Sequence, residues 1–202
     1  MDTNFLNLKT NFLKLTLFAC MMLPIVSCSS DDDSDVAAPE NITQDPLSGY
    51  LQAAGFTKIE NKKDSGDAEF GIAFTPTVNG KITSISAKIP DIHSGMRIAI
   101  WDKATATVLR TELIDVASPD VEVSKNITAL VLTKDKEYMF TFNSNDWYNY
   151  SKPDASATSY PITVGDIKIT NYGYINGTSQ TIPNVMRDDY YAGDIRFKFQ
   201  KD

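Results

Sequence analysis

Alternation of apolar and polar residues recurs along most of the chain and restricts its fold more than any other feature. It is clearest in residues 70–74, 96–100, 138–142 and 195–199. Successive side chains of a β-strand point to opposite faces, so a period of two predicts strands with one buried face. Few segments carry an apolar stripe with helical spacing. The pattern therefore predicts an all-β protein.

Turn residues separate these segments every eight to twelve positions, which is typical of sandwiches and barrels. Many amphipathic strands bury their apolar faces best when two sheets pack face to face. We therefore predict an antiparallel β-sandwich, most specifically a jelly roll. The predicted strands cover residues 70–74, 82–89, 96–101, 108–114, 127–132, 138–142, 167–169 and 195–199.

Two local signals refine this prediction. Asn79-Gly80 lies between the first two predicted strands, and Asn-Gly is a strong hairpin signal because both residues tolerate positive φ. Residues 47–56 could form one short helix, with Ser48 as its N-cap.

The first 27 residues have the form of an export signal, with Lys9 and Lys14 near a short apolar segment. Ile25-Val26-Ser27-Cys28 closes this segment and resembles the lipobox of bacterial lipoproteins. The resemblance implies that residues 1–27 are removed and that Cys28 is lipidated, so the lipid bilayer is an expected partner. The alternatives are an uncleaved anchor and a general secretory signal with a chance cysteine.

Aspartates follow Cys28 at positions 31–33 and 35. Because like charges repel and offer no apolar surface, we expect residues 28–46 to form an acidic, disordered tether before one domain, residues 47–202. The same arrangement resembles surface lipoproteins of the Bacteroidetes, in which acidic residues after the lipidated cysteine direct export. That resemblance implies an outer-membrane protein, lipid-anchored and facing the cell exterior.

The composition argues against several classes of function. The chain has a net charge of −7, whereas nucleic-acid binding requires a basic surface. The only cysteines are Cys20 and Cys28, so the domain itself has neither a disulfide nor a thiolate. His93 is the only histidine and lies in an expected loop. One histidine does not supply enough ligands for a zinc site. We expect no catalytic residue, no metal and no cofactor.

A wider resemblance covers residues 69–200. Val78, Gly80, Ile82 and Thr83, followed by Gly95 and Trp101 and then by Tyr138, Phe140 and Phe142, are similar to the motifs of an uncharacterised bacterial β-sandwich family. That family resembles carbohydrate-binding or adhesion modules. Residues 103–107 replace the glycine-rich segment usual after its tryptophan strand, so a shared loop function is not implied.

An aromatic segment directly after the strand at 138–142 is the best candidate site. An aromatic ring can stack on the apolar face of a sugar, while amide and carboxylate oxygens bind its hydroxyls. We expect these side chains to form an exposed platform on a loop, where binding residues often lie. The predicted ligand-binding residues are Trp147, Tyr148, Tyr150, Asn145, Asp146 and Asn149.

Residues 171–174 and 188–191 repeat this mixture of tyrosine with amide or carboxylate side chains. The alternative is that the rings close the ends of the sandwich, a role that amphipathic aromatic residues also serve. Residues 64–67 and 188–189 carry carboxylates that could bind calcium, although solvated turns are the simpler interpretation.

Three functions remain open from the sequence. The first is a surface-anchored, non-enzymatic module that binds glycans. The second is a structural or adhesive lipoprotein that binds a protein partner and has no sugar site. The third is a small hydrolase that uses paired carboxylates. Exposed rings along a groove would favour the first, and rings buried in the core would favour the second.

Overall fold

The computed structural model describes residues 42–202, which fold almost entirely into antiparallel β-strands. In chain order the elements are β1 Thr43–Gln44, α1 Pro46–Ala54, β2 Lys58–Pro76, β3 Gly80–Lys88, β4 His93–Asp102, β5 Thr107–Val116, β6 Val123–Leu132, β7 Tyr138–Ser151, β8 Ile162–Val164, β9 Ile167–Asn176, β10 Val185–Arg187, β11 Tyr190–Ala192 and β12 Asp194–Lys201.

Two sheets pack against each other, as the alternation predicts. The small sheet has the order β1-β12-β3-β6, and the large sheet has the order β10-β9-β2-β7-β4-β5, with β11 added to β7 and β8 added to β9. The ring of Phe197 in the small sheet lies 4.8 Å from that of Phe74 and 5.3 Å from that of Phe140, both in the large sheet. The all-β sandwich is therefore confirmed, whereas the jelly-roll strand order stays a prediction.

The predicted inward-facing residues form the core between the sheets. On β3, at its end and on β4, the alternating apolar residues are at most 1% exposed; they are Ile85, Ala87, Ile89, Met96, Ile98 and Ile100. Residues 68–76 of β2 are buried at every position, so both faces of this part of the strand are covered, and within the sheet it lies between β7 and β9. The period-two pattern thus predicts the core-facing side of β3 and β4 correctly.

The hairpin predicted at Asn79-Gly80 is wrong. β2 belongs to the large sheet and β3 to the small one, so the chain crosses between sheets here. Asn79 holds the crossing in place, since its side-chain oxygen accepts from the Lys134 amide at 2.8 Å. The φ of Gly80 is not in the left-handed region, but a Cβ on this residue would lie 2.5 Å from the carbonyl oxygen of Gln200. The glycine is thus required by close packing rather than by a turn.

The predicted helix forms, but its N-cap is not the residue that the sequence pattern indicates. Asp45, not Ser48, is the N-cap, and its carboxylate accepts from the Leu47 amide at 3.1 Å. Pro46 occupies the first turn, where its missing N–H costs nothing. Gly55 ends the helix with a left-handed φ of 74°.

The last residues of the predicted tether are folded. Thr43 and Gln44 pair with Gln200 and Phe199 of β12, so the end of the expected tether belongs to the folded body. Residues 28–41 of that segment, with Cys28, and the predicted signal peptide lie outside the described residues.

Within residues 42–202 no helix is both long and apolar enough to cross a membrane.

Candidate binding site

The segment predicted as an aromatic loop is strand. β7 continues to Ser151, and its residues 146–151 pair with residues 58–63 of β2. β11 pairs with residues 149–151 on the other side of β7. Asparagine, aspartate and serine favour loops in isolation, but partners on both edges stabilise the extended conformation here.

Two of the predicted platform rings face the interior. Tyr148 is 6% exposed and Tyr150 is 7% exposed. The hydroxyl of Tyr148 donates to Asp120, and that of Tyr150 donates to Asp194 at 3.1 Å. Burial, followed by these carboxylates, raises the pKa of both tyrosines above its usual value. The prediction that these two rings form an exposed platform is therefore wrong.

Asp146 is also used internally. It is 3% exposed, and its carboxylate accepts from the Ser144 hydroxyl and the Asp91 amide, each at 2.9 Å. Its predicted role as an exposed ligand for sugar hydroxyls is overturned by this burial, because its oxygens already have donors.

The two predicted asparagines differ in their surroundings. Asn145 donates through its amide to the carbonyl oxygen of Asp64 at 3.3 Å, which links β7 to the adjacent bulge of β2. Asn149 is half-buried in β7, opposite both β2 and β11. Neither lines the cleft that Trp147 lines, so the structure does not bring them together with Trp147 there.

Trp147 lines a small cleft together with tyrosines from two other strands. Its ring lies 4.7 Å from that of Phe70, and Phe70 lies 6.3 Å from Tyr174. We call this site the aromatic cleft; it has a volume of about 230 Å³ and is lined by Asp64, Gly66, Ala68, Phe70, Trp147, Tyr174, Asn176 and Tyr190.

The sheet topology explains why these residues meet. Phe70 of β2 and Tyr174 of β9 are direct cross-strand partners, so their side chains share one face. The register of β2 against β7 shifts between Lys63 and Ala68, where residues 64–67 bulge out and form one wall. Tyr190 reaches the cleft from β11.

The far wall of the cleft is held by an arginine. The guanidinium of Arg187 lies 5.1 Å from the centre of the Tyr190 ring, and it donates to both oxygens of Asp189 at 2.8 and 2.6 Å. The arginine keeps the pKa of the Asp189 carboxyl below its usual value. Burial is the main reason that the pKa of Tyr190 is raised. The Arg187–Asp189 ion pair holds the guanidinium against the Tyr190 ring and so fixes that ring in place.

The cleft combines half-buried rings with a polar rim. Trp147, Tyr174 and Tyr190 are partly exposed, and Asp64 and Asn176 at the rim are exposed. The indole Nε1 of Trp147 is shielded from solvent and has no hydrogen-bond partner among residues 42–202. A second groove of about 300 Å³ adjoins the cleft, lined by residues 64–67 and Asn176. Flat apolar surface beside exposed polar atoms suits a ligand with both kinds of face.

The described part of the chain shows no group of three or more metal-ligating side chains. Of the residues considered for calcium, Asp189 is engaged by Arg187, while Asp64 and Asp67 line the second groove beside the cleft. His93 lies at the start of β4 rather than in a loop, and it is half-buried.

Sequence reasoning located some of these residues but not their grouping. Tyr174 and Tyr190 belong to the two aromatic segments noted in the sequence, and residues 64–67 were considered only for calcium. The sequence predicts no site role for Ala68 or Asn176. The signal available was three separate aromatic-polar segments, but only the pairing of β2, β7, β9 and β11 brings them together.

Neither protein-family models nor curated protein sequences give a match to this chain.

Proposed function

We propose that this chain is a non-catalytic, lipid-anchored surface protein whose aromatic cleft binds carbohydrate. The single observation that carries the proposal is the convergence of Trp147, Tyr174 and Tyr190 around a cleft with Asp64 and Asn176 at its rim. Sugar rings have apolar C–H faces that stack on aromatic rings and hydroxyls that bind amide and carboxylate oxygens. The cleft matches both features.

The size of the cleft limits the ligand. Its 230 Å³ is below the roughly 300–1,000 Å³ typical of sites for drug-sized molecules. A single sugar ring fits such a volume, whereas a large cofactor does not.

The anchoring part of the proposal comes from the lipobox ending at Cys28 and the acidic residues after it. A lipid anchor would hold the cleft at the membrane surface, where a glycan ligand is accessible.

A glycan array probed with residues 42–202 tests the binding proposal. The wild-type domain should bind one class of glycan, and Asn176→Ala and Tyr190→Ala should weaken that binding. Asn176 is exposed, so its replacement leaves the fold intact. Leu113→Ala is a matched control, because Leu113 is a 57% exposed apolar residue on β5, away from the cleft. Absence of glycan binding, or equal loss in the Leu113 control, would contradict the proposal.

An adhesive function is the second candidate, and exposed apolar residues at one side of the sandwich favour it. Val108, Leu109 and Leu113 of β5 and Val131 of β6 are 37–69% exposed. β5 is also an edge strand of the large sheet, and edge strands can pair with another chain. This function predicts that the wild type cross-links to a cell-surface protein and that Leu113→Asp abolishes the cross-link. That result, together with no binding of glycan by the wild type, would favour adhesion.

The hydrolase alternative rests on the carboxylates Asp64 and Asp67, which both line the groove beside the cleft. It is tested by analysing the bound glycan after prolonged incubation. We expect the glycan to be recovered intact, and release of shorter products that Asp64→Asn abolishes would replace the binding proposal with hydrolysis.

A further inference from the structure

Two carboxylates stand beside the three partly exposed rings of the aromatic cleft. Trp147, Tyr174 and Tyr190 line the cleft, and Asp64 lines it at the rim. Asp64 also lines the adjoining second groove, together with Asp67. Both carboxylates belong to the bulged part of β2. The three rings form the site, and the carboxylates at its rim bear on the charge of its ligand.

Neither carboxylate is neutralised by a cation within the described part of the chain. The side chain of Asp64 accepts from the Ser65 amide at 2.8 Å, and within residues 42–202 neither Asp64 nor Asp67 forms an ion pair. The cationic residues within three positions of a cleft-lining residue hold ion pairs with other carboxylates, namely Lys62–Glu60, Lys63–Asp91 and Arg187–Asp189. The rim therefore carries two uncompensated negative charges.

The rings of the cleft attract a cation as well. The face of an aromatic ring is partly negative, so a cation within about 6 Å of its centre is stabilised. The chain itself makes this contact, since the guanidinium of Arg187 lies 5.1 Å from the centre of the Tyr190 ring. Arg187 does not line the cleft, so it leaves the cleft open to a ligand.

A neutral ligand would use these groups poorly. A ligand that enters the cleft displaces water from the rim, and a carboxylate that loses water without gaining a partner is destabilised. A hydroxyl can donate to a carboxylate, but only a cation also offsets its negative charge. An ammonium group satisfies the carboxylates and the ring faces together.

We propose that the sugar bound in the aromatic cleft is an amino sugar with a free ammonium group. Its ring stacks on Trp147, and its ammonium group is held by the carboxylates of Asp64 and Asp67. This inference rests on the proposed function, because it needs the cleft to bind sugar. It adds the charge of the ligand and the two residues that select for that charge.

Calorimetric titration with matched sugars tests the inference. The probes have the gluco, galacto and manno configurations, and within each set the second carbon carries a hydroxyl, an acetamide or an ammonium group. The full-length protein is used in a detergent without a sugar headgroup. A chelator keeps metal ions from the carboxylates. The titrations are run at about pH 6, where the carboxylates are ionised and the sugar amine is protonated.

For the configuration that binds, the ammonium sugar should bind about tenfold or more tightly than its two neutral counterparts. The preference should shrink at about 1 M salt, where the screening length is about 3 Å. A preference that depends on salt in this way indicates recognition of the charge rather than of the shape of the substituent.

Two aspartate variants and one control assign the preference to the rim. Asp64→Asn and Asp67→Asn keep the size of each side chain and remove its charge. Each should reduce the preference for the ammonium sugar several-fold, while the affinity for the neutral sugars changes little. Asp135→Asn should change neither, because this exposed carboxylate lies in the turn between β6 and β7 and does not line the cleft.

The outcomes separate this inference from the proposed function. Equal affinity for ammonium and neutral sugars, or a preference that persists in both aspartate variants, would overturn the amino-sugar inference and leave the cleft proposal standing. Failure of every sugar to bind would overturn both. Tetramethylammonium serves as a cation without a sugar ring. If it binds and no sugar does, the cleft recognises a cation alone and both proposals fail.

Discussion

Glu69 is a fully buried carboxylate on β2 whose charge is balanced by one arginine. Arg97 on β4 approaches it at 2.6 Å, and the Thr141 hydroxyl donates to it, also at 2.6 Å. The indole of Trp101 in turn donates to the Thr141 oxygen at 3.0 Å. This chain of contacts ties three neighbouring strands of the large sheet together. A buried ion pair contributes little by itself, but removal of one partner leaves an uncompensated charge.

We therefore expect Arg97→Met to lower the free energy of unfolding by about 3–5 kcal/mol. The double variant Arg97→Met with Glu69→Met should recover most of that loss, because no buried charge remains. Urea unfolding of the wild type and both variants measures the difference. A loss below about 1 kcal/mol in the single variant, or a double variant no more stable than it, would show that the charge is not effectively buried.

Several tyrosines inside the sandwich should make the fold sensitive to alkali. Burial raises the pKa of Tyr160 to about 12, and it raises the pKa of Tyr50, Tyr172 and Tyr191 well above the usual 10.0. The folded state thus keeps these protons more tightly than the unfolded state. Their contribution to stability is complete below pH 10 and is lost as the pH rises through the folded-state pKa values.

We expect tyrosinate absorbance and circular dichroism to change together in one cooperative step above pH 10. Tyr160→Phe should shift that step upward, because this residue no longer ionises. Gradual formation of tyrosinate before any loss of structure would mean that the rings are accessible in the folded protein.

The crossing between β2 and β3 is the element that local sequence signals describe least well. Asn79-Gly80 has the composition of a hairpin turn, yet the strands it joins lie in different sheets. Turn propensity is a local property, whereas the choice of sheet depends on distant partners such as β12, which pairs with β3 along its whole length.

Gly80→Ala tests the packing explanation for this glycine. The new Cβ would meet the Phe199 ring and the Gln200 carbonyl oxygen, so we expect a loss of about 1–3 kcal/mol in unfolding free energy. Gly66→Ala is the matched control, because a Cβ there has no neighbour within 4 Å. Thermal melts compare the two variants. Equal melting temperatures for both would contradict the close approach seen at Gly80.

How much of each element could be predicted depends on its partners. Strands whose core-facing residues are apolar at every second position, such as β3, β4 and β12, follow from alternation because the core enforces it. The three-residue strands β8, β10 and β11 are too short to show a period, and they form by pairing with longer strands. Residues 143–151 are rich in loop-forming side chains and become strand only through pairing. Trp147 was predicted as a site residue, but the cleft around it depends on those same pairings.

At the scale of the whole molecule, the described residues form an acidic sandwich whose first strand is Thr43–Gln44, and the predicted lipid attachment site is Cys28. One acyl chain gives only marginal membrane binding, whereas two or more anchor a protein firmly. We expect Cys28→Ser to move the protein out of the membrane fraction or to leave it as an unprocessed precursor. Fractionation followed by immunoblotting measures this. Wild-type amounts of the variant in the membrane fraction would contradict the lipobox prediction.

The central claim, that the aromatic cleft binds sugar, can be tested within the folded protein by its two tryptophans. Trp101 is buried and hydrogen-bonded to Thr141, whereas Trp147 lines the cleft. Their indole N–H groups give two separate signals in a nitrogen–proton NMR spectrum, which Trp101→Phe assigns. On titration with the bound class of glycan, the Trp147 signal should shift in a saturable way while the Trp101 signal stays fixed. An unchanged Trp147 signal at saturating glycan would contradict the claim.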